Sequence, residues 1–247
     1  MAKLYLGCSG FSYNHWRGNF YPAELKTKEW FEHYRSVFDT VELNVTFYRT
    51  PTAATFKHWY DESEPNFSFA VKGSRYITHI KSLHDIATAL SRFFTPTREL
   101  QEKLQVVLWQ FPPQFKVDLG RLESFLDKIA PYHGRHTLEF RNETWLTDEV
   151  VSLCRDRNVS LCMADHPVFI DSPRITADFV YIRRHGMEGS YNGFYTKEQL
   201  EKDVARIRKY LSRGLDVYIY FNNDMGGAAP QNARELAAML QAPLDKE

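Results

Sequence analysis

Val217-Tyr218-Ile219-Tyr220-Phe221 is a run of five apolar residues, followed at once by Asn222-Asn223-Asp224. A strand built from that run is apolar on both faces, which suits a parallel strand covered by helices on each side. The polar triplet then marks its C-terminal end. Working outward, seven more short β-rich runs appear, at 4–7, 40–44, 67–72, 106–110, 136–141, 160–164 and 179–183. Between them lie stretches with apolar residues at helical spacing, at 28–38, 52–61, 82–94, 119–129, 147–157, 196–211 and 229–240. Asp118 and Thr147 stand where helix N-caps are expected. Strict alternation of strand and helix implies parallel strands. Eight units in a chain of 247 residues predict an α/β fold, a (β/α)₈ TIM-like barrel filling 1–247 as a single domain.

Composition limits the function. Hydrophobic residues are 43% and charged residues 25%, enough to bury a core. Lys+Arg and Asp+Glu both total 31, so no broad basic surface is present for nucleic acid or an anionic membrane. Nucleic acid is therefore a disfavoured partner, and a small anionic molecule is preferred. Cys8, Cys154 and Cys162 include no C-x-x-C, which fits a reducing compartment. Neither a signal-like N-terminus nor a long apolar run is seen, so the expectation is a cytoplasmic monomer without a membrane partner.

In a barrel of this type the active site lies at the C-terminal ends of the strands. Ionisable residues set in otherwise apolar strands are costly unless paired or functional. Glu42, Lys72, Glu139 and Arg183 are such residues. Residues two apart on a strand share a face. Glu42 therefore points with Asn44, Glu139 with Arg141, and Arg183 with His185. Glu42, Glu139, Asp165 and His185 are the expected acid–base residues. Asn44, Tyr48, Lys72, Gln110, Arg141, Arg183, Asn222, Asn223, Gly226 and Gly227 are the expected substrate contacts. Gly226 and Gly227 precede a helix, where backbone N–H groups can face an anion, and 185–190 is the counterpart after strand seven. Gly7-Cys8-Ser9-Gly10 is not a nucleophile elbow and reads as a tight turn.

Three chemistries fit this list. One is acid–base conversion of a small polar anion, of hydrolase, lyase or isomerase type. Another is non-catalytic binding of a nucleotide, sugar phosphate or nucleic-acid end, with Trp16, Tyr48 and Tyr191 as stacking residues. The third is divalent-metal hydrolysis or nuclease action, since the carboxylates and His185 are hard-metal ligand types. Nearby Lys and Arg oppose a dication, and no H-x-x-H or H-E-x-x-H motif exists, so no metal ligand and no cofactor is assigned. Two carboxylates with aromatics such as Trp109 and Trp145 also admit glycoside chemistry, without showing which two would pair.

Several blocks resemble the YecE-like family, a domain of unknown function. They are Gly7-Cys8-Ser9-Gly10-Phe11-Ser12-Tyr13 with Trp16, and Val41-Glu42-Leu43-Asn44-Val45-Thr46-Phe47-Tyr48-Arg49 with Pro51. Phe69-Ala70-Val71-Lys72 with Ile77-Thr78-His79, Gln110-Phe111-Pro112-Pro113, and Glu139-Phe140-Arg141 with Trp145 continue the resemblance. Tyr181-Ile182-Arg183-Arg184-His185-Gly186 and Tyr218-Ile219-Tyr220-Phe221-Asn222-Asn223 complete it. Cys8 departs from the small residue expected at its position. The resemblance implies a (β/α)₈-type barrel. It implies no reaction, cofactor or catalytic residue.

Overall fold

The apolar runs form strands that pair in parallel throughout. They are β1 (Leu4–Ser9), β2 (Thr40–Leu43), β3 (Ser68–Lys72), β4 (Leu104–Gln110), β5 (Arg135–Glu139), β6 (Ser160–Leu161), β7 (Met163–Ala164), β8 (Phe179–Arg184) and β9 (Asp216–Phe221). The computed structural model describes residues 2–165, 174–186, 189 and 191–241. The strand order is β6-β5-β4-β3-β2-β1-β9-β8-β7. Only Cys162 separates β6 from β7, and its N–H donates to Leu138 O at 2.8 Å. The sheet therefore closes on itself, and the expected sixth strand is two short pieces, one paired to β5 and one to β8.

Helices cover the outside: α1 (Trp30–Arg35), α2 (Val45–Tyr48), α3 (Ala53–Glu62), α4 (Ala87–Thr97), α5 (Leu119–Ile129), α6 (Asp148–Asp156), α7 (Lys197–Ser212) and α8 (Ala228–Gln241). Local chemistry sets their starts. Asp118 accepts from Arg121 N at 2.9 Å and Thr147 from Val150 N at 3.3 Å, each filling an orphan N–H of a first turn. Along α5, Leu122, Phe125, Leu126 and Ile129 are buried, the i, i+3, i+4, i+7 stripe of a helix lying on a sheet. One start differs from expectation. The helix expected from 82 begins at Ala87, because Ser82, Leu83 and Asp85 take positive φ of 45°, 69° and 46°. Left-handed residues cannot continue a right-handed helix. No described helix is long and apolar enough to cross a membrane.

Two cores result. The larger lies between strands and helices, with Val71, Val107, Leu138, Ile182 and Ile219 facing outward onto helix residues. The smaller fills the barrel with Ala70, Val106, Leu108, Cys162, Ala164, Phe179, Tyr181, Tyr218 and Tyr220. The interior is thus tyrosine-rich. Tyr5 stacks on Tyr218 at 4.4 Å, and the Tyr220 hydroxyl lies 2.7 Å from Thr40 Oγ1. Because side chains alternate along a strand, Ala70 facing inward puts Lys72 inward at the strand end. Tyr181 does the same for Arg183, and Tyr220 for Asn222.

Candidate functional site

Arg183 is the centre of the C-terminal end of the barrel, and it is completely buried. Its Nε donates to the Glu42 carboxylate at 3.0 and 3.1 Å and its Nη2 to Glu42 Oε1 at 2.7 Å. On the other side Nη1 donates to Glu139 Oε2 at 2.7 Å. One guanidinium thus joins carboxylates from β2 and β5. Tyr181 Oη donates to Glu42 Oε2 at 2.6 Å, and Ser9 Oγ donates to Oε1. Glu139 is further paired with Arg141.

His185 extends the cluster. Its Nδ1 lies 3.0 Å from Asn222 Nδ2 and its Nε2 3.1 Å from Glu139 Oε1. Nε2 also lies 2.9 Å from Arg141 Nη2, so it sits between a guanidinium donor and the Glu139 carboxylate. Asn222 Oδ1 in turn lies 3.4 Å from Asn44 Nδ2. A chain of polar contacts therefore runs along Asn44, Asn222, His185 and Glu139. The Asn44 Oδ1 at the head of that chain is buried and has no partner.

The electrostatics follow from burial and pairing. Burial alone would raise the Glu42 carboxyl, but the Arg183 charge and the bonds from Arg183, Ser9 and Tyr181 hold it below its ordinary value. Glu139 is likewise opposed by burial yet held well down by Arg141, Arg183 and His185. Burial, then Arg183, lowers His185 to about 4. Both carboxylates stay ionised and His185 stays neutral at pH 7.

Lys72 differs from the rest. It is 9% exposed, and its Nζ sits 4.3 Å from the centre of the Phe47 ring. Among the described residues it has no hydrogen-bond or ion-pair partner for that Nζ. Burial, with Arg183 as the next cause, lowers it to about 7. Beside it, His79 packs edge-on against Phe47 at 5.0 Å. Burial, then Lys72, lowers His79 to about 4.

Of the expected site residues, Glu42, Asn44, Lys72, Glu139, Arg141, Arg183, His185 and Asn222 come together here. Gln110 ends β4 opposite Glu139 in register, at the rim. Tyr48, 72% exposed, lines a cleft of about 740 Å³ beside the cluster with Gly10, Ser12, Tyr13, Asn44 and Trp59. Asp165 does not join. It pairs with Arg184 at 3.0 Å and accepts from Tyr195 Oη, in an outer network anchored to α7 by Asp203. Asn223 also points outward, donating to Gly193 O at 2.8 Å and Asn232 Oδ1 at 3.1 Å. The expected Gly226–Gly227 anion cradle is corrected as well. Gly227 N donates to Asp224 O, Ala228 N to Met225 O, and Asn19 covers the turn through Gly226 O at 2.8 Å. Those amides are satisfied within the turn. His166 and positions 187, 188 and 190 lie outside the described residues. Sequence reasoning missed Ser9, Tyr181, Phe47 and His79. The first two share strand faces with Tyr5 and Arg183, which is the signal that could have found them.

Other chemistries meet geometric objections. Among the described residues no group of three or more His, Cys, Asp or Glu side chains is placed to hold a metal ion. Arg183 occupies the position between the carboxylates that a cation would take. Burial raises the Cys8 thiol far above its ordinary range, which leaves no thiolate to act as a nucleophile.

Buried neutral histidines make the fold acid-sensitive. His136, which accepts from Trp109 Nε1 at 3.2 Å, is lowered by burial to about 4, as is His185. Unfolded histidines titrate near 6.5. Between those values the unfolded chain binds more protons, so stability falls as pH falls from about 6.5 to 4. Urea unfolding across that window should reveal this slope, and His136→Phe should reduce it by about one proton. An unchanged slope in that variant would mean His136 is already charged in the folded chain.

A family model described as protein of unknown function DUF72 matches residues 5–247. The chain belongs to this family. The DUF72 chain is 24% identical to the UPF0759 protein YunF of Bacillus subtilis strain 168, over 96% of this chain and 94% of that one. A DUF72 family protein from Thermotoga maritima MSB8 has a solved structure similar to it, with TM-score 0.84 and 30% identity, covering 97% of this chain and 100% of that one. D-psicose 3-epimerase from Clostridium cellulolyticum H10, solved with D-tagatose, is 11% identical with TM-score 0.60, over 97% of this chain and 98% of that one. That last likeness concerns the barrel fold alone.

Proposed function

We propose that this DUF72 barrel is an enzyme that binds a small organic anion, bearing a carboxylate or phosphate, at its C-terminal mouth and performs acid–base chemistry on it. One observation carries the reading: a surplus of buried positive charge. Among the described residues, Arg183, Arg141 and Lys72 face two carboxylates, Glu42 and Glu139, and His185 is neutral. Both carboxylates are used by the guanidinium groups. Lys72 is left as the unmatched cation, in a largely buried position where an unpaired charge is costly. An anionic ligand supplies the missing counter-charge.

The same position suits Lys72 for proton transfer, because a group titrating to about 7 both takes and releases protons at neutral pH. Glu42 suits it less. Donors from Ser9, Tyr181 and Arg183 surround its oxygens, which weakens it as a base. Glu42, Glu139, Arg183, Arg141 and His185 then act as positioning residues. Asn44 and Tyr48 shape the entrance from the cleft.

The test is a thermal-shift panel of small carboxylates and phosphates at pH 6.5, followed by mass spectrometry of each mixture. At least one anion should raise the melting temperature of the native chain by several degrees, and Lys72→Met should abolish the rise. A changed ligand mass identifies chemistry, whereas a bound but unchanged ligand makes the protein a carrier. Equal stabilisation of native chain and variant would overturn the assignment of the anion to Lys72.

A further inference from the structure

We propose that Lys72 forms an imine with the carbonyl carbon of an anionic aldehyde or ketone. This rests on the reading that an organic anion binds at the mouth, and it names that anion's second functional group.

The case begins with position. Lys72 is the last residue of β3, on the inner face with Ala70. The register pairs Leu43 with Val71, so Lys72 comes next to Asn44 at the end of β2. Asn44 is a wall of the open cleft. Asn44 therefore stands between the cleft and Lys72, which does not itself line the cleft.

Its freedom from partners is unusual for this molecule. Lys103, also buried, donates to Tyr60 O, Ser63 O and Ser63 Oγ. Lys57 is held by Asp61. Arg183, Arg184 and Arg141 each have a carboxylate. A lysine engaged in that way is a structural cation. Among the described residues Lys72 has the face of Phe47 against Nζ, which fixes the amine in place without using its lone pair or its N–H groups.

The surroundings fit a nucleophilic amine. Arg183 and Arg141 keep their charges, since guanidinium does not lose its proton in proteins. Their field and the enclosure both favour the neutral amine, the form that attacks a carbonyl. The neighbouring Asn44 Oδ1 is a buried acceptor lacking a donor. The hydroxyl of a carbinolamine, or the N–H of the iminium that follows, would supply one.

The step balances. The ammonium gives up one proton to become the amine. The amine nitrogen forms a bond to the carbonyl carbon, and the carbonyl π pair moves to oxygen, which gains a proton. The C–O bond then breaks, and that oxygen departs as water with two of the three ammonium protons. The product is a protonated imine with one N–H, so total charge is unchanged. As an electron sink it acidifies the adjacent carbon, which connects it to the proton-transfer chemistry proposed above.

The experiment is reductive trapping on the whole chain. Glyoxylate, pyruvate and glyceraldehyde 3-phosphate are each incubated with it and sodium cyanoborohydride, and lysine-containing peptides are quantified by mass. At least one probe should label Lys72 about tenfold faster than exposed Lys57, with neutral propanal showing no such preference. The two carboxylate probes and the phosphate probe distinguish the kinds of anion. Lys72→Arg should remove the adduct at that position and leave labelling of other lysines unchanged. If that variant does not fold, the comparison of Lys72 with Lys57 inside the native chain decides alone. Labelling of Lys72 no faster than Lys57 by all three probes overturns the imine. If anions still stabilise the native chain but not Lys72→Met in that case, the anion site stands without it. Loss of both results removes both.

Discussion

Arg183→Met should cost about 3–5 kcal/mol of folding stability, lowering the melting temperature by about 10 °C. The reason is what the substitution leaves behind. Glu42 and Glu139 are both fully buried and both accept from this one guanidinium. Removing it strands Glu42, with only Ser9 and Tyr181 left to serve it, while Glu139 keeps Arg141 and His185. Burial then raises the Glu42 carboxyl, and the variant becomes less stable as pH rises. Combining Arg183→Met with Glu42→Gln removes the stranded charge and leaves the Glu139–Arg141 pair intact, so the double variant should recover more than half of the loss. Urea unfolding of native, single and double variants at pH 6 and 8 measures all of this. A single variant within about 1 kcal/mol of the native chain would show that water or a rearranged Arg141 replaces Arg183.

Much of this architecture was legible because the physical signals were local. Each β-rich apolar run is short and ends in polar residues, so strand ends could be placed without knowing their partners. Spacing of two along a strand put Arg183 with His185 and Glu139 with Arg141. The same rule, carried further, separates residues that polarity alone had grouped. Ala164 faces into the barrel, so Asp165 must face out, where Arg184 holds it. Asn222 follows the inward Tyr218 and Tyr220, so Asn223 faces out toward Asn232. Other features depend on contacts remote in sequence. Nothing near Gly226 signals that Asn19 will close over it. The break at Cys162 and the left-handed residues 82, 83 and 85 are set by how the ring closes and how a loop packs. The isolation of Lys72 is of this kind too. Two carboxylates stand close enough to influence it, and only the assembled ring shows that guanidinium groups have taken both.

Lys72→Met should make the protein more stable at pH 6, by about 1–3 kcal/mol, while ending its response to anions. In the folded chain Lys72 titrates to about 7, and in the unfolded chain near 10.4. Below pH 7 both states carry the proton, and the folded state bears the cost of a largely buried, unmatched charge. Between about 7 and 10.4 the unfolded chain binds more protons, so the native protein gains stability as pH rises. Methionine fills nearly the same space without the charge, so that gain should be missing from the variant. The difference between the two proteins should shrink toward zero near pH 10. Subtracting the variant's unfolding curves from the native ones cancels the titration of cysteines and tyrosines in the same range, which isolates Lys72. A variant less stable than the native chain at pH 6 would mean that the ammonium is compensated, and the surplus cation behind the proposed function would not exist. The expected sign has a further consequence. An uncompensated charge inside a barrel lowers stability in every molecule of the free protein, and methionine would be the better residue for folding alone. Its presence is physically intelligible if the missing partner arrives with the ligand, whose binding then returns what the empty fold gives up.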